Sequence, residues 1–179
     1  MGQSLPLARL AVEVTDHDHV LGPWNAPLTL VEYGDYECPY CLNALPLIQA
    51  VRERLGDRMR FVFRHFPQNT VHPNAGVAAQ AAEAAAAQGK FWDMHAQLFA
   101  HQADLADIDL THLALRIGLE VYRFQGQLAS EDYAPIVRQQ FLSGLHSGVN
   151  GTPTFFINGV RYDGPHELEP LVAAMEAAE

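Results

Sequence analysis

A chain of 179 residues, 49% of them hydrophobic, is long enough to bury a real core in one domain and needs no disulfide staple to hold it. With 11 Lys and Arg against 21 Asp and Glu the formal charge is −10, which argues against nucleic acid and anionic membrane surfaces as partners. No stretch reaches membrane-span length, and the segment up to Val20 lacks the basic start, apolar run and small-residue cleavage site of a secretory leader, so a soluble cytoplasmic protein is expected.

In chain order, Ala8 to Val14 (ARLAVEV) alternates weakly and reads as an outer strand. The run Asp16-His17-Asp18-His19 carries metal-ligand side chains, but before the Gly22-Pro23 turn it reads as a solvated loop. Leu28-Thr29-Leu30-Val31-Glu32-Tyr33 is the short apolar and β-branched pattern of a buried strand. After Cys38-Pro39-Tyr40-Cys41, the residues Leu42, Leu45, Ile48, Val51 and Leu55 recur at helical intervals up to Gly56. Pro46 falls inside that period and is expected to kink the axis. Asp57-Arg58 turns the chain into an alternating strand, Met59 to Phe66. Strand, helix and strand in this order make a βαβ unit with a right-handed crossover and parallel strands.

From His72 to about Gly148 the pattern is helical. Pro73 opens an Ala-rich helix that Gly89 ends; Lys90 to Ala100 places Phe91, Met94, Leu98 and Phe99 on one stripe. Asp109 caps a helix carrying Leu110, Leu113 and Ile117 before Gly118. A further helix after Ser130-Glu131-Asp132 uses Val137, Phe141 and Leu145, and His95 and His146 read as satisfied core histidines. Thr154-Phe155-Phe156-Ile157 and Val160-Arg161-Tyr162 flank Asn158-Gly159, the strongest short hairpin signal. Glu167 to Ala178 closes the chain as a helix with Leu168, Leu171, Val172 and Met175 inward.

The chemistry lies in the 2 cysteines, which stand together in one motif. Cys38 falls at a strand-to-helix junction with Pro39 as the first helical residue, where the missing N–H is no loss. Unpaired N–H groups and the macrodipole at such a helix start favour an anion, so the Cys38 thiolate should be stabilised below the free-thiol pKa of about 8.5. Cys38 is then the exposed nucleophile, and Cys41, a turn further in and more buried, attacks the mixed disulfide to release product. Half of a zinc site is the competing reading of the pair, but a structural site needs four ligands and no second cysteine pair exists.

The order β-α-β, helical block, β-β-α, with the motif at the first helix start, resembles the thioredoxin fold in its DsbA-like form. The resemblance runs from about Gly22 to the C-terminus and rests on Val31-Glu32-Tyr33-Gly34-Asp35-Tyr36-Glu37-Cys38-Pro39-Tyr40-Cys41, Phe63-Arg64-His65-Phe66-Pro67, His72-Pro73, Gly89-Lys90-Phe91-Trp92 and Gly151-Thr152-Pro153-Thr154. It implies an α/β thioredoxin domain with a helical insertion between the βαβ and ββα halves: residues 1–66 and 149–179 as core, 67–148 as insert. It also implies that Pro153 is cis and faces the cysteines, leaving the Thr152 backbone to pair with an extended substrate beside Pro39 and Tyr40. Glu32 would be the buried acid beneath the disulfide, taking the Cys41 proton as general base. Pro46 matches the proline that kinks the active-site helix of thioredoxins, whereas Glu37 departs from the pattern, its charge opposing the thiolate.

The activity implied is thiol–disulfide exchange on protein or peptide substrates, without a cofactor or metal, with glutathione or a thioredoxin system as candidate redox partner. Potentials across this superfold span about 150 mV, or about 7 kcal/mol for two electrons. Pro-Tyr between the cysteines is similar to the glutaredoxin dipeptide and differs by one residue from the Pro-His of DsbA. Lacking a leader, the chain is expected to reduce or isomerise disulfides, with DsbA-like oxidation as the alternative. A non-catalytic redox sensor and a metal-binding module using Cys38, Cys41 and the histidines of the Asp16–His19 run are the rivals of another class.

Overall fold

A computed structural model describes residues 8–179; residues 1–7, the opening of the segment read above for a leader and of the core assignment, lie outside the described residues. The two apolar runs and the closing hairpin meet in one sheet of β1 (His19–Leu21), β2 (Leu28–Gly34), β3 (Met59–His65), β4 (Thr154–Ile157) and β5 (Val160–Tyr162), in the order β1-β3-β2-β4-β5. The helices are α1 (Pro39–Leu55), α2 (Ala75–Ala86), α3 (Phe91–Ala100), α4 (Leu110–Arg116), α5 (Val121–Ala129), α6 (Ala134–His146) and α7 (Leu168–Glu176). This is the expected α/β thioredoxin architecture. No helix among the described residues is long and apolar enough to cross a membrane.

The chain packs as two compact units: one takes the described residues up to Tyr33 with Asn43–Arg64 and Leu142–Glu179, the other Gly34–Leu42 with His65–Phe141. In the first, Leu28 to Tyr33 of β2 are all buried, which is why the strand is nearly continuous apolar rather than alternating. β2 pairs antiparallel with β4, setting Leu30 opposite Ile157 and Glu32 opposite Phe155. β4 turns into β5 through Asn158 (φ 45°) and Gly159 (φ 81°), the two left-handed residues that an Asn-Gly hairpin supplies. Ile48, Val51 and Leu55 of α1 and Leu171, Val172 and Met175 of α7 are buried apolar positions of the same unit. Pro46 lies inside α1 as expected.

Two expectations for the N-terminal stretch fail, for one reason. Ala8–Val14 is not a strand: Arg9 makes a single bridge to Val160, and the carbonyls of Val12 and Glu13 accept from Arg64 at 2.9 and 3.0 Å. Nor is Asp16–His19 all solvated loop. Asp18 and Arg64 form a buried ion pair, Nε to Oδ1 2.8 Å, and His19 opens β1. Burial works against the Arg64 charge, yet the hydrogen bond and charge of Asp18, with Tyr33, outweigh it and raise the arginine's pKa further. A buried guanidinium with five donors needs acceptors, and it collects them from the flanking chain in place of strand pairing.

In the second unit α2 packs on α3 and α5, and α4 on α3 and α5. The buried alanines of α2 permit that close approach. The Asp109 side chain accepts from Thr111 N at the start of α4, and hydrogen bonding from the Thr111 side chain first, then from this N–H, lowers its pKa. The sequence reading did not separate helix α5, which buries Phe124 alone. The apolar pattern also misassigned the end of α6. Leu145 is 46% exposed and His146 is exposed, because the helix turns polar residues inward: Gln140 Oε1 accepts from His65 N at 2.7 Å, and the Ser143 hydroxyl lies 2.8 Å from that of Tyr33.

Gly22 has φ +102°, and a Cβ there would sit 2.5 Å from the Met59 carbonyl oxygen. Gly22→Ala is expected to cost about 1–3 kcal/mol in chemical denaturation, whereas Gly126→Ala, in α5 with open space around it, should stabilise by about 0.5–1 kcal/mol. The His166 ring lies edge-on to Phe155, centroids 5.0 Å apart, and burial lowers its pKa. The unfolded chain, with a histidine pKa of about 6.5, therefore takes up this proton first, and stability falls as pH drops from there through the depressed folded value. Melting temperature against pH should decline less steeply over that window for His166→Gln than for the parent protein.

Candidate active site

Cys38 is the residue immediately before α1, and Pro39 is the first residue of that 17-residue helix. The Cys38 carbonyl accepts from Cys41 N at 3.1 Å and Leu42 N at 3.2 Å, so the first helical turn closes on the cysteine itself. Its own N–H donates to the Asp35 carbonyl at 3.1 Å, which folds Asp35-Tyr36-Glu37 into a tight turn.

The turn is organised by the Asp35 carboxylate, which is buried. Oδ1 accepts from Glu37 N at 2.8 Å; Oδ2 accepts from Gln68 N at 2.8 Å and lies 2.9 Å from His72 Nδ1. Since an ionised carboxylate only accepts, Nδ1–H of His72 is the donor. Glu37 reaches the start of α2, its carboxylate oxygens accepting from Asn74 N at 2.6 Å and Asn74 Nδ2 at 2.9 Å. Tyr36 points inward, its hydroxyl 3.1 Å from His95 Nδ1 and its ring 4.9 Å from that of Phe99. His95 is thereby the satisfied core histidine expected. Below it His65 Nε2 lies 2.8 Å from Glu83 Oε1, both side chains buried. From the connector between α3 and α4, Gln102 Nε2 donates to the carbonyls of Tyr36 at 2.8 Å and Cys38 at 2.9 Å.

One expectation is corrected: Cys38 is only 3% exposed, not an exposed nucleophile, while Cys41 is at 0%. The cause is the turn itself, tied down by Asp35 on one side and Gln102 on the other, so that the cysteine packs against the unit. Solvent reaches the motif through Pro39, which is exposed, and Tyr40, which is 71% exposed. Glu32, Thr152 and Pro153 belong to the other unit. Glu32 is buried in β2, at 1% exposure. The Thr152–Pro153 bond is cis, both residues are half-buried, and the loop they lie in is closed by Thr154 Oγ1 donating to the Gly151 carbonyl at 2.7 Å.

Asp35, Tyr36, His72 and Gln102 escaped the sequence reading as site residues. Asp35 had a signal, since an aspartate before a tight turn and a helix start is a ready acceptor for backbone N–H groups; Gln102, far along the chain, had none. Asp35→Asn leaves one oxygen where two are used and sets an NH2 against a backbone donor. It is expected to cost about 1.5–3 kcal/mol in urea denaturation; an unchanged midpoint would remove Asp35 as the anchor of the turn.

Comparison with known proteins places this geometry. The thioredoxin family model matches residues 14–177. The Na(+)/H(+) antiporter NhaA 3 of Salinispora tropica is 49% identical over 181 residues, covering 99% of this chain and 27% of that protein. The chain thus spans about a quarter of the length of the curated relatives it matches. Among solved structures, oxidised BdbD from Bacillus subtilis superposes with a TM-score of 0.82 at 22% identity, over 98% of both chains. A thioredoxin-like oxidoreductase from Silicibacter pomeroyi gives 0.73 at 26% identity, over 92% of this chain and 93% of that one. For alpha-DsbA1 of Wolbachia pipientis the values are 0.75 and 20%, over 92% of each.

Proposed function

The chain belongs to the thioredoxin family and carries the DsbA-like form of its fold, and from that premise we propose that it is a thiol–disulfide oxidoreductase. The observation that carries the reading is the placement of Cys38 directly before α1, with Pro39 as the first helical residue and Cys41 one turn on. At that position the partial positive charge of the helix start favours a thiolate.

In the proposed reaction the Cys38 thiolate attacks one sulfur of a substrate disulfide, forming a mixed disulfide and expelling the other sulfur as a thiolate. The Cys41 thiolate then attacks Cys38, giving the Cys38–Cys41 disulfide and the second substrate thiol. Two electrons pass to the substrate, and a thiol donor such as glutathione or a thioredoxin system restores the dithiol. Glu32, buried in β2, is assigned the general-base step, its carboxylate taking the Cys41 thiol proton as that sulfur attacks. Pro39 and Tyr40, the exposed part of the motif, and Thr152 with Pro153 are assigned to an extended protein or peptide substrate.

Reduction or isomerisation in the cytoplasm is the direction proposed, since the 2 cysteines sit together in one motif, a usage that suits a reducing compartment. Trapping of the cysteines in living cells tests it: a dithiol at rest agrees, a disulfide at rest does not. The second reading, DsbA-like dithiol oxidation, draws on the likeness of fold to alpha-DsbA1.

Insulin reduction with dithiothreitol should fall to the uncatalysed background in Cys38→Ser, while Cys41→Ser accumulates mixed disulfide. Equal turnover by Cys38→Ser and the parent protein would end the proposal. Pro153→Ala places an N–H where the proline has none and should slow turnover about tenfold, the order of one or two hydrogen bonds, with little change in denaturation midpoint; unchanged turnover would remove Pro153 from substrate pairing.

A further inference from the structure

Gln102 stands out among the residues around the motif because it touches the active-site turn without belonging to it in sequence. It lies in the short Gln102–Asp104 turn after α3, in the same unit as the cysteines. One amide nitrogen donates to two carbonyls, Tyr36 at 2.8 Å and Cys38 at 2.9 Å, on either side of Glu37. The Cys38 carbonyl is also the acceptor for Cys41 N and Leu42 N, the bonds that start α1. A carbonyl has two lone pairs and a broad range of acceptor directions, so the side-chain donor and the helical donors share it only while the peptide keeps one orientation.

We propose that Gln102 is a positioning residue for the Cys38 sulfur, its amide holding the Tyr36 and Cys38 carbonyls so that the helix begins at the cysteine. Asp35 ties the turn through its N–H groups and Gln102 through its carbonyls. With both in place the Cys38 backbone has no freedom to swing out of the helix start. Removing the amide donors releases the Cys38 carbonyl from one of its three partners, and the sulfur spends less time where the first-turn N–H groups stabilise its anion.

The inference rests on Cys38 being the nucleophile proposed above, but it is read from ionisation of that sulfur and needs no turnover. In a Cys41→Ser background, where Cys38 is the one thiol, the rate of iodoacetamide alkylation is followed against pH for the parent, Gln102→Met and Gln102→Glu. Met keeps the side-chain length without donors; Glu adds a like charge. The alkylation midpoint is expected to rise by about half a unit in Gln102→Met, the size of a helix-end contribution of a few tenths to 1 kcal/mol. It should rise further in Gln102→Glu. Reaction of the parent-background variants with a small disulfide at neutral pH should slow about twofold, the loss of thiolate being partly offset by its greater nucleophilicity. Denaturation midpoints of both variants report folding, so a structural loss is seen separately. Parent-like alkylation profiles in both folded variants would overturn the role of Gln102, whatever the insulin assay shows; an inactive parent protein in that assay, with the alkylation shifts as expected, would strike only the functional proposal.

Discussion

The turn before Cys38 depends on one buried carboxylate. Asp35 accepts from two backbone N–H groups and from His72, and its carbonyl accepts from Cys38 N. A backbone reversal at the edge of a packed unit would otherwise strand these donors away from water, at a cost of about 1–3 kcal/mol each. With the donors satisfied, the chain leaves β2, reverses within three residues and enters α1 at Pro39. The ring of Pro39 needs no hydrogen bond there and has its φ already set for a helix. The chemistry open to Cys38 follows from this placement.

Buried polar pairs recur throughout both units, and each joins segments distant in sequence. Arg64 with Asp18 and Tyr33 fixes the stretch before β1; His65 with Glu83 joins the end of β3 to α2; Tyr36 with His95 joins the active-site turn to α3. Such pairs add little net stability over apolar replacements of the same shape, but breaking one leaves an uncompensated buried group. The physical role they suit is specification: each admits one register of its two segments. Around the cysteines this holds together a turn whose apolar content alone, chiefly Tyr36 and Phe99, would not define a unique backbone.

The likeness to known proteins has the same texture. The fold matches BdbD over nearly the whole of both chains at 22% identity, and a stretch of the Salinispora tropica antiporter matches at 49%. A fold that survives such divergence is held by pattern and backbone pairing, whereas the two sulfurs depend on particular side chains. Both sulfur-bearing residues are buried, and Pro39 and Tyr40 are the exposed residues of the motif.

Periodicity and punctuation made most of the fold legible. β2, β3, α1, the Asn158-Gly159 hairpin, the Asp109 cap and the closing helix were all readable, because each is set by contacts between near neighbours in sequence. The reading failed where a long-range polar partner overrode local preference: at Val12 and Glu13, drawn to Arg64, and at the end of α6, whose inward face carries Gln140 and Ser143. For the site, the sequence by itself determined which atoms can react, since 2 cysteines at this spacing before a helical pattern leave little choice. Only the tertiary structure decided how far Cys38 is buried and that Asp35, His72 and Gln102 hold its backbone. Spacing along a chain encodes neighbours within a turn or a strand pair; a side chain arriving from 64 residues away is placed by packing, which no local pattern records.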